Sequence, residues 1–458
     1  MQRYFCQPGS VIGGEISVPG DKSVSHRSLM LGGIAEGTTE VRGFLESEDC
    51  LATLAALRSL GVNIGRFGGN RVTIHGVGLD GFKAPAGPLD MGNAGTAMRL
   101  FMGLLAPQKF DSTLVGDSSL MKRPMERVAV PLRLMNAAIE TQKGLPPVVI
   151  KGGRSLKAID YALPVASAQV KSAILLAALR AEGRTRISEP APTRDHTERM
   201  LTAFGVEVLR SEKGVALEGG QSLRGASIDV PGDFSSAAFF LVLGALTAQK
   251  GLTIRGVGIN PTRTGLLDML TMMGADIRVR PKNAVDHKGN AGHQSGQGAG
   301  HGSGQTSGYG VGEPIADIEV HASRLKGITV PEALVPLSID EFPVFFIAAA
   351  CAEGETLVRG AHELRVKESD RLAVMAEGLG ALGVEHELLP DGIWIRGGKG
   401  FSGGSIDSHG DHRIAMAFAV ASSMATGQLE IRDVANVATS FPGFVEIARR
   451  AGLQIEAA

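Results

Sequence analysis

One segment of this chain occurs twice. The stretch ISVPGDKSVSHRSLMLGGIAEGTTEVRG from Ile16 is matched by IDVPGDFSSAAFFLVLGALTAQKGLTIRG from Ile228. Both read as a strand, a Val-Pro-Gly-Asp turn, small polar residues, an apolar helix, a glycine turn and a second strand ending in Arg-Gly. Both continue into a second helix closed by a glycine turn, LRSLGVNI or LTMMGADI. The opening recurs from Gly92 (GNAGTAMRLFMGLLA), Ser167 (SAQVKSAILLAALRAEG), Asp340 (DEFPVFFIAAACAEG) and Asp411 (DHRIAMAFAVASSMATG). Each segment starts with residues suited to capping free helix N–H groups and then runs apolar for about three turns. A helix that is apolar nearly all round must be buried. Six units of about seventy residues are a repeat architecture.

Strand and helix alternate within a unit, which predicts an α/β fold with helices packed against sheet. At 458 residues the chain exceeds what one core usually supports. The full-length match between the segments at Val18 and Val230 predicts two lobes of three units each. Residues 1–20 with 232–458 are expected to form one lobe and residues 21–231 the other. The chain would cross between them at Gly20 and Gly232, so its first strand belongs with the C-terminal half. Residues 283–312 (NAVDHKGNAGHQSGQGAGHGSGQTSGYGVG) interrupt the fourth unit and hold too few apolar residues for a core. They read as a flexible surface insertion. His287, His293 and His301 lie in it without an organised acidic or Cys ligand set.

Composition removes several classes of function. A net charge of -1 gives no field that gathers nucleic acid or membrane. Cys6, Cys50 and Cys351 form no CxxC pair, so neither a disulfide framework nor a zinc site is expected. No signal peptide is expected at the N-terminus. The longest apolar run, Phe342 to Ala352, is too short to span a bilayer.

Polar residues at the openings of buried helices carry the functional signal. Lys22, Ser23, His26 and Arg27 open the first, and Ser23 and Arg27, four apart, share a helical face. Such a start is an anion site, or a capped helix end with solvated charges. GDKS lacks the first glycine of a P-loop. Other openings contribute Asn93, Gly95, Thr96 and Arg99; Ser167, Gln169 and Lys171; Asp340 and Glu341; Asp411, His412 and Arg413. Each set is weak alone. Together they place polar groups at one point of five of the six units, and symmetry would bring those points together. Lys122 and Arg123, and the run Arg365, Lys367, Glu368, Asp370 and Arg371, start second helices. Lys367 and Arg371 are four apart, which puts like charges on one helical face unless an anion or Glu368 lies between them. A salt-bridged, solvated helix start is the alternative. Lys22, Arg27, Arg123, Lys367, Arg371 and Arg413 are enough cations for two multiply charged anions. Asp340 and Glu368 are then acids in a basic cleft, and so acid/base candidates.

At these residues the chain resembles the 5-enolpyruvylshikimate-3-phosphate (EPSP) synthases. The motifs are GDKSVSHR, GNAGTAMR, RP at Arg123, SAQVKSA, RDHTE at Arg194, DEFP, RVKESDR, DHRIAM and TSFP. They follow in order and cover nearly all of the chain except the insertion. RDHTE and SAQVKSA are similar to the form often called class II. The resemblance implies a two-lobed, inside-out α/β barrel of six βαβαββ pseudo-repeats with buried parallel helices. It implies transfer of the enolpyruvyl group of phosphoenolpyruvate to the 5-hydroxyl of shikimate 3-phosphate, with release of phosphate, in chorismate and aromatic amino-acid synthesis. No cofactor or metal is implied, and a cytoplasmic monomer is expected.

By position, the resemblance gives shikimate 3-phosphate to Lys22, Ser23, Arg27, Ser167, Gln169, Asp340 and Lys367. It gives phosphoenolpyruvate to Lys22, Gly95, Arg123, Gln169, Arg371 and Arg413. Asp340 would take the 5-hydroxyl proton, Glu368 would handle the methylene proton with Lys22 as partner, and His412 would orient its neighbours. Glyphosate competes with phosphoenolpyruvate in this family. The chain departs from the pattern of many relatives in four places: Thr439 and Ser440 stand in the motif where a Lys precedes FP, Leu100 where Pro is usual in sensitive forms, Ala168 where a second Ser occurs, and Glu363 where Asn occurs. The related UDP-N-acetylglucosamine enolpyruvyltransferases would need a reactive Cys near Ser118–Pro124, where this chain has none. An anion-binding protein without turnover is the reading from another class.

Overall fold

A computed structural model describes residues 2–211, 213–282 and 312–458. Except for Gly312, the insertion at 283–312 lies outside the described residues, as do His287, His293 and His301. Six buried helices organise the fold: α1 (Lys22–Ile34), α2 (Gly95–Leu105), α3 (Ala168–Ala178), α4 (Phe234–Thr247), α5 (Phe342–Cys351) and α6 (His412–Ala421). Their sequences explain where they lie. Every residue of α4 from Phe234 to Ala245, and of α5 from Phe342 to Ala350, is buried. Helices with no polar face have to be surrounded by protein. Asp21, Asp233 and Asp411 cap α1, α4 and α6 by accepting backbone N–H groups of the first turn.

Five units add a small sheet in which the first strand pairs with the second, the second with the fourth and the fourth with the third; around α5 the sheet has three strands, and isolated bridges such as Thr329 to Leu357 stand in for the first. Around α2, Leu89–Asp90 runs parallel to Ser112–Val115, Leu145–Lys151 is antiparallel to that strand, and Ala138–Gln142 is antiparallel to Leu145–Lys151. Around α3 the same order links Asp160–Ala162, Arg184–Ser188, Gly214–Glu218 and Val208–Ser211. The last unit borrows its fourth strand from the N-terminus: Arg3–Cys6 lies between Leu429–Arg432 and Ile455–Ala457.

Two units exchange their first strands. Gly14–Ser17 leads into α1 yet pairs with Leu252–Gly258, the strand after α4. Ser227–Asp229 leads into α4 yet pairs with Glu36–Arg42, the strand after α1. The chain therefore passes twice between the same two regions, and the passages touch. Gly20 and Gly232 form an antiparallel bridge. The Asp21 N–H donates to the Pro231 carbonyl at 2.7 Å and the Asp233 N–H to the Pro19 carbonyl at 2.8 Å. A Cβ at Gly20 would overlap the Gly43 carbonyl oxygen, so this passage admits only glycine.

Two apolar cores result. One joins Tyr4–Val18 to residues from Phe234 to Ile455, and the other spans Val24 to Val230. In the first, α4, α5 and α6 all pack on one another. In the second, α2 and α3 approach so closely that a Cβ at Gly103 would overlap the Ala173 backbone. Among the described residues no helix is long and apolar enough to cross a membrane.

Candidate active site

The openings of all six buried helices line one cavity of about 360 Å³. Its wall includes Lys22 and Ser23 of α1, Gly95 and Thr96 of α2, Ser167 to Gln169 at α3, Asp233 and Ser235 at α4, Asp340 before α5, and His412 and Arg413 of α6. Helices of one core whose N-termini meet at one place run the same way, and each aims the positive end of its dipole there. The starts of the second helices join them: Asp49, Arg123 and Arg127, Thr193 and Arg194, Arg263, Lys367 and Glu368, and Thr439 and Ser440. Free N–H groups and clustered cations make this an anion site.

Lys22 stands between the two regions. Its Nζ donates to Asp49 Oδ2 at 2.9 Å and to Ser440 Oγ at 2.7 Å. Burial would lower its pKa, but Asp49 outweighs burial and raises it, so the ammonium stays charged. Ser440, one of the two residues before FP, thus offers a hydroxyl to Lys22. Gln169 accepts from Arg99 at 2.6 Å and donates to Thr96 Oγ1 at 2.9 Å. Arg123 donates to Asn93 Oδ1 at 2.6 Å and to Ser119 Oγ at 3.2 Å. Burial, with Arg127 and Arg123 nearby, brings Arg99 down to about 9. The Nε atoms of Arg99, Arg123 and Arg127 are buried without a hydrogen-bond partner. A Cβ at Gly95 would lie 3.2 Å from an Arg123 nitrogen and 3.4 Å from one of Arg99.

Asp340 is the meeting point of four cations. Arg194 donates to its Oδ2 at 2.7 Å; Lys367 and Arg371 lie 3.4 and 3.3 Å from its Oδ1; Arg413 donates to its carbonyl at 2.9 Å. Burial would raise this carboxyl, but Lys367, Arg194, Arg413 and Arg371 hold it well below the usual carboxylate range. Glu368 is likewise held low, burial being outweighed by Arg371, His412 and Arg123. His412 is pushed down to about 3 by burial, Lys22 and Arg413, so its imidazole is neutral near neutrality. Several contacts cross the cleft: Arg194 to Asp340, Lys22 to Ser440, Arg123 to Glu368 at 3.9 Å and Arg127 to Glu363 at 3.5 Å.

Of the residues expected from the sequence, Lys22, Ser23, Gly95, Arg123, Ser167, Gln169, Asp340, Lys367, Glu368 and Arg413 all line this cavity. Arg27 and Arg371 lie behind its wall. Arg27 is buried, with its fork donating to Thr197 Oγ1 at 2.7 Å, Ser172 Oγ at 2.9 Å and the Ser23 carbonyl at 3.0 Å. Arg371 is fully buried among Asp411 at 2.8 Å, Asp340 and Glu368. The expected shared helical face of Lys367 and Arg371 is corrected. The helix begins at Arg371, capped by Asp370, and Lys367 lies before it. What lies between the two cations is Asp340. Asp49, Arg127 and Arg263 also line the cavity and were not singled out from the sequence. Each starts the second helix of its unit, the signal that did pick out Arg123 and Lys367.

The family model for EPSP synthase (3-phosphoshikimate 1-carboxyvinyltransferase) matches residues 6–447. The chain is 55% identical to the 3-phosphoshikimate 1-carboxyvinyltransferase of Alkalilimnicola ehrlichii, over 99% of this chain and 96% of that protein. It is 55% identical to that of Methylococcus capsulatus, over 99% and 98%. The solved EPSP synthase of Acinetobacter baumannii superposes with a TM-score of 0.86 at 53% identity, covering 100% of both chains. A six-unit chain whose helix openings meet in one cationic cavity, and which matches these proteins from end to end, belongs to the EPSP synthase family.

Proposed function

We propose that this protein transfers the enolpyruvyl group of phosphoenolpyruvate to the 5-hydroxyl of shikimate 3-phosphate, releasing phosphate. The convergence of six helix N-termini and eight cationic side chains around Asp340 and Glu368 carries the reading. The Asp340 carboxylate, held ionised, accepts the hydroxyl proton as oxygen bonds to C2 of phosphoenolpyruvate. The methylene carbon takes a proton in the same stage, from Glu368 or from charged Lys22. Glu368 is held low by the cations around it; an anion bound at Arg123 would offset part of that positive field and raise its pKa toward the range of a proton donor. Phosphate then leaves the tetrahedral adduct, a methyl proton returns to the protein, and the enol ether forms. The cations stabilise the charge that gathers on the departing phosphate.

In this reading Lys22, Ser23, Ser167, Gln169, Asp340 and Lys367 hold shikimate 3-phosphate, and Lys22, Gly95, Arg123, Gln169 and Arg413 hold phosphoenolpyruvate. Arg27 and Arg371 act from behind, fixing the first turn of α1 and the two acids. Residues 1–20 with 232–458 and residues 21–231 move as two lobes that close on the substrates. The protein works as a cytoplasmic monomer without a cofactor. Assay of inorganic phosphate tests the activity: release is expected only when both substrates are present. Release with UDP-N-acetylglucosamine in place of shikimate 3-phosphate, or none with either acceptor, would overturn it.

A further inference from the structure

Between the two passages of the chain lies a buried guanidinium for which the reaction chemistry has no direct use. Arg263 precedes the helix Gly265–Met272 and is 2% exposed. One end of its fork donates to Asp21. The other donates to Asp233 Oδ1 at 3.2 Å and to Ser235 Oγ at 2.7 Å. Its Nε makes no hydrogen bond, so Arg263 holds its neighbours through the two ends of the fork, one to each passage.

Asp21 and Asp233 are the caps of α1 and α4, the helices that follow the two passages. Asp233 Oδ2 also accepts the backbone N–H of Lys22 at 3.0 Å. On the other side, Ser235 Oγ donates to Glu341, which is 1% exposed and directly follows Asp340. A single cation thus ties the backbone of Lys22, from one side of the cleft, to the residue beside Asp340 on the other. A planar fork spans two carboxylates in a way that an ammonium does not. Arg263 and Ser235 also border the substrate cavity, so a shift in this hub moves its wall directly.

We propose that Arg263 is a positioning residue, which joins the two passages and fixes Lys22 relative to Asp340 when the substrates are bound. The proposal rests on the roles given above to Lys22 and Asp340, so Lys22→Ala and Asp340→Ala are measured alongside. Turnover retained by those two would break the roles themselves. Turnover lost in them isolates the question of Arg263.

The test is steady-state kinetics of Arg263→Lys and Ser235→Ala, at temperatures well below each variant's thermal midpoint. Because misplacement on the order of 1 Å costs about 10²-fold, kcat of Arg263→Lys should fall about that far while both KM values stay within about threefold. Ser235→Ala keeps both ion pairs and removes the hydrogen-bonded path from Arg263 through Ser235 to Glu341; a fall in kcat of about tenfold is expected. If Arg263→Lys does not fold, Ser235→Ala decides alone. A lower thermal midpoint with unchanged kcat would make Arg263 a structural tie only. A raised KM with unchanged kcat would make it a substrate ligand. Either result overturns the proposal.

Discussion

The two sides of the cleft are built from the same unit and charged differently. Residues 21–231 bring five cations to the cavity (Lys22, Arg99, Arg123, Arg127 and Arg194) and one carboxylate, Asp49. Residues 232–458 bring three cations (Arg263, Lys367 and Arg413) and four carboxylates, Asp233, Asp340, Glu363 and Glu368. Three buried arginine Nε atoms on the first side and that of Arg263 on the second lack partners, while Arg371 on the second side is saturated by Asp411, Asp340 and Glu368. The proposed roles follow much the same division: most of the anion-binding cations come from the first face, and the proton acceptor Asp340 from the second. Asp340 and the larger set of cations come from different faces, so the proposed closure of the cleft would bring them together.

The sharpest test of this division removes one group from each face. Asp340→Ala takes away the proposed base and should lower kcat by about 10²- to 10⁴-fold, with thermal stability largely kept. Lys22→Ala should lower kcat and also raise KM for phosphoenolpyruvate, because this ammonium serves both roles; steady-state kinetics separates the two.

Next come two arginines that the sequence alone does not distinguish. Arg371→Ala leaves Asp411, which is 0% exposed, without its counter-charge and should cost about 3–5 kcal/mol in urea unfolding. Arg123→Ala should leave the unfolding curve near wild type and raise KM for phosphoenolpyruvate. If the two variants behaved alike in both measurements, the contrast between a saturated and an open face would fail.

Smaller effects follow. Gly95→Ala places a methyl against the Arg123 and Arg99 nitrogens, and crowding of about 1–3 kcal/mol is expected. It should raise the dissociation constant of glyphosate, the longer ligand, by more than the KM of phosphoenolpyruvate. Equal inhibition of both forms would mean that Gly95 does not border the bound inhibitor. The least effect concerns pH. His26 is held at about 3 by burial, against an ordinary value of 6.5, and His412 is held at about 3 as well. Between those values the unfolded chain takes up protons that the folded chain refuses, so stability rises with pH across that window. Each histidine contributes about 1.4 kcal/mol per pH unit. His26→Gln should therefore flatten the dependence by one such share, measured by urea unfolding at about pH 5 and 6.

The repeat made much of this legible. Capping residues followed by apolar runs located all six buried helices, and the shared Val-Pro-Gly-Asp turns of Val18 and Val230 lie at the two passages between the cores. Depth was not legible. Spacing tells which side chains share a helical face, but Arg27 and Arg371 differ from Ser23 and Arg413 in how far behind the wall they lie, and only packing decides that. Long-range pairing was equally out of reach. Arg263 and Asp21 are 242 residues apart in sequence, and Lys22 and Ser440 are 418 apart. Asp49 and Arg127 start second helices just as Arg123 does, so the same reading applied to every unit would have reached them.

The central claim is that a single anion is gripped from both faces at once. Titration calorimetry of glyphosate in the presence of shikimate 3-phosphate tests it without turnover, using Arg123→Ala from one face and Arg413→Ala from the other. The account predicts that each variant alone weakens binding by about 2 kcal/mol or more, with the thermal midpoint little changed. Weakening in only one of the two would place the anion on a single face and contradict it.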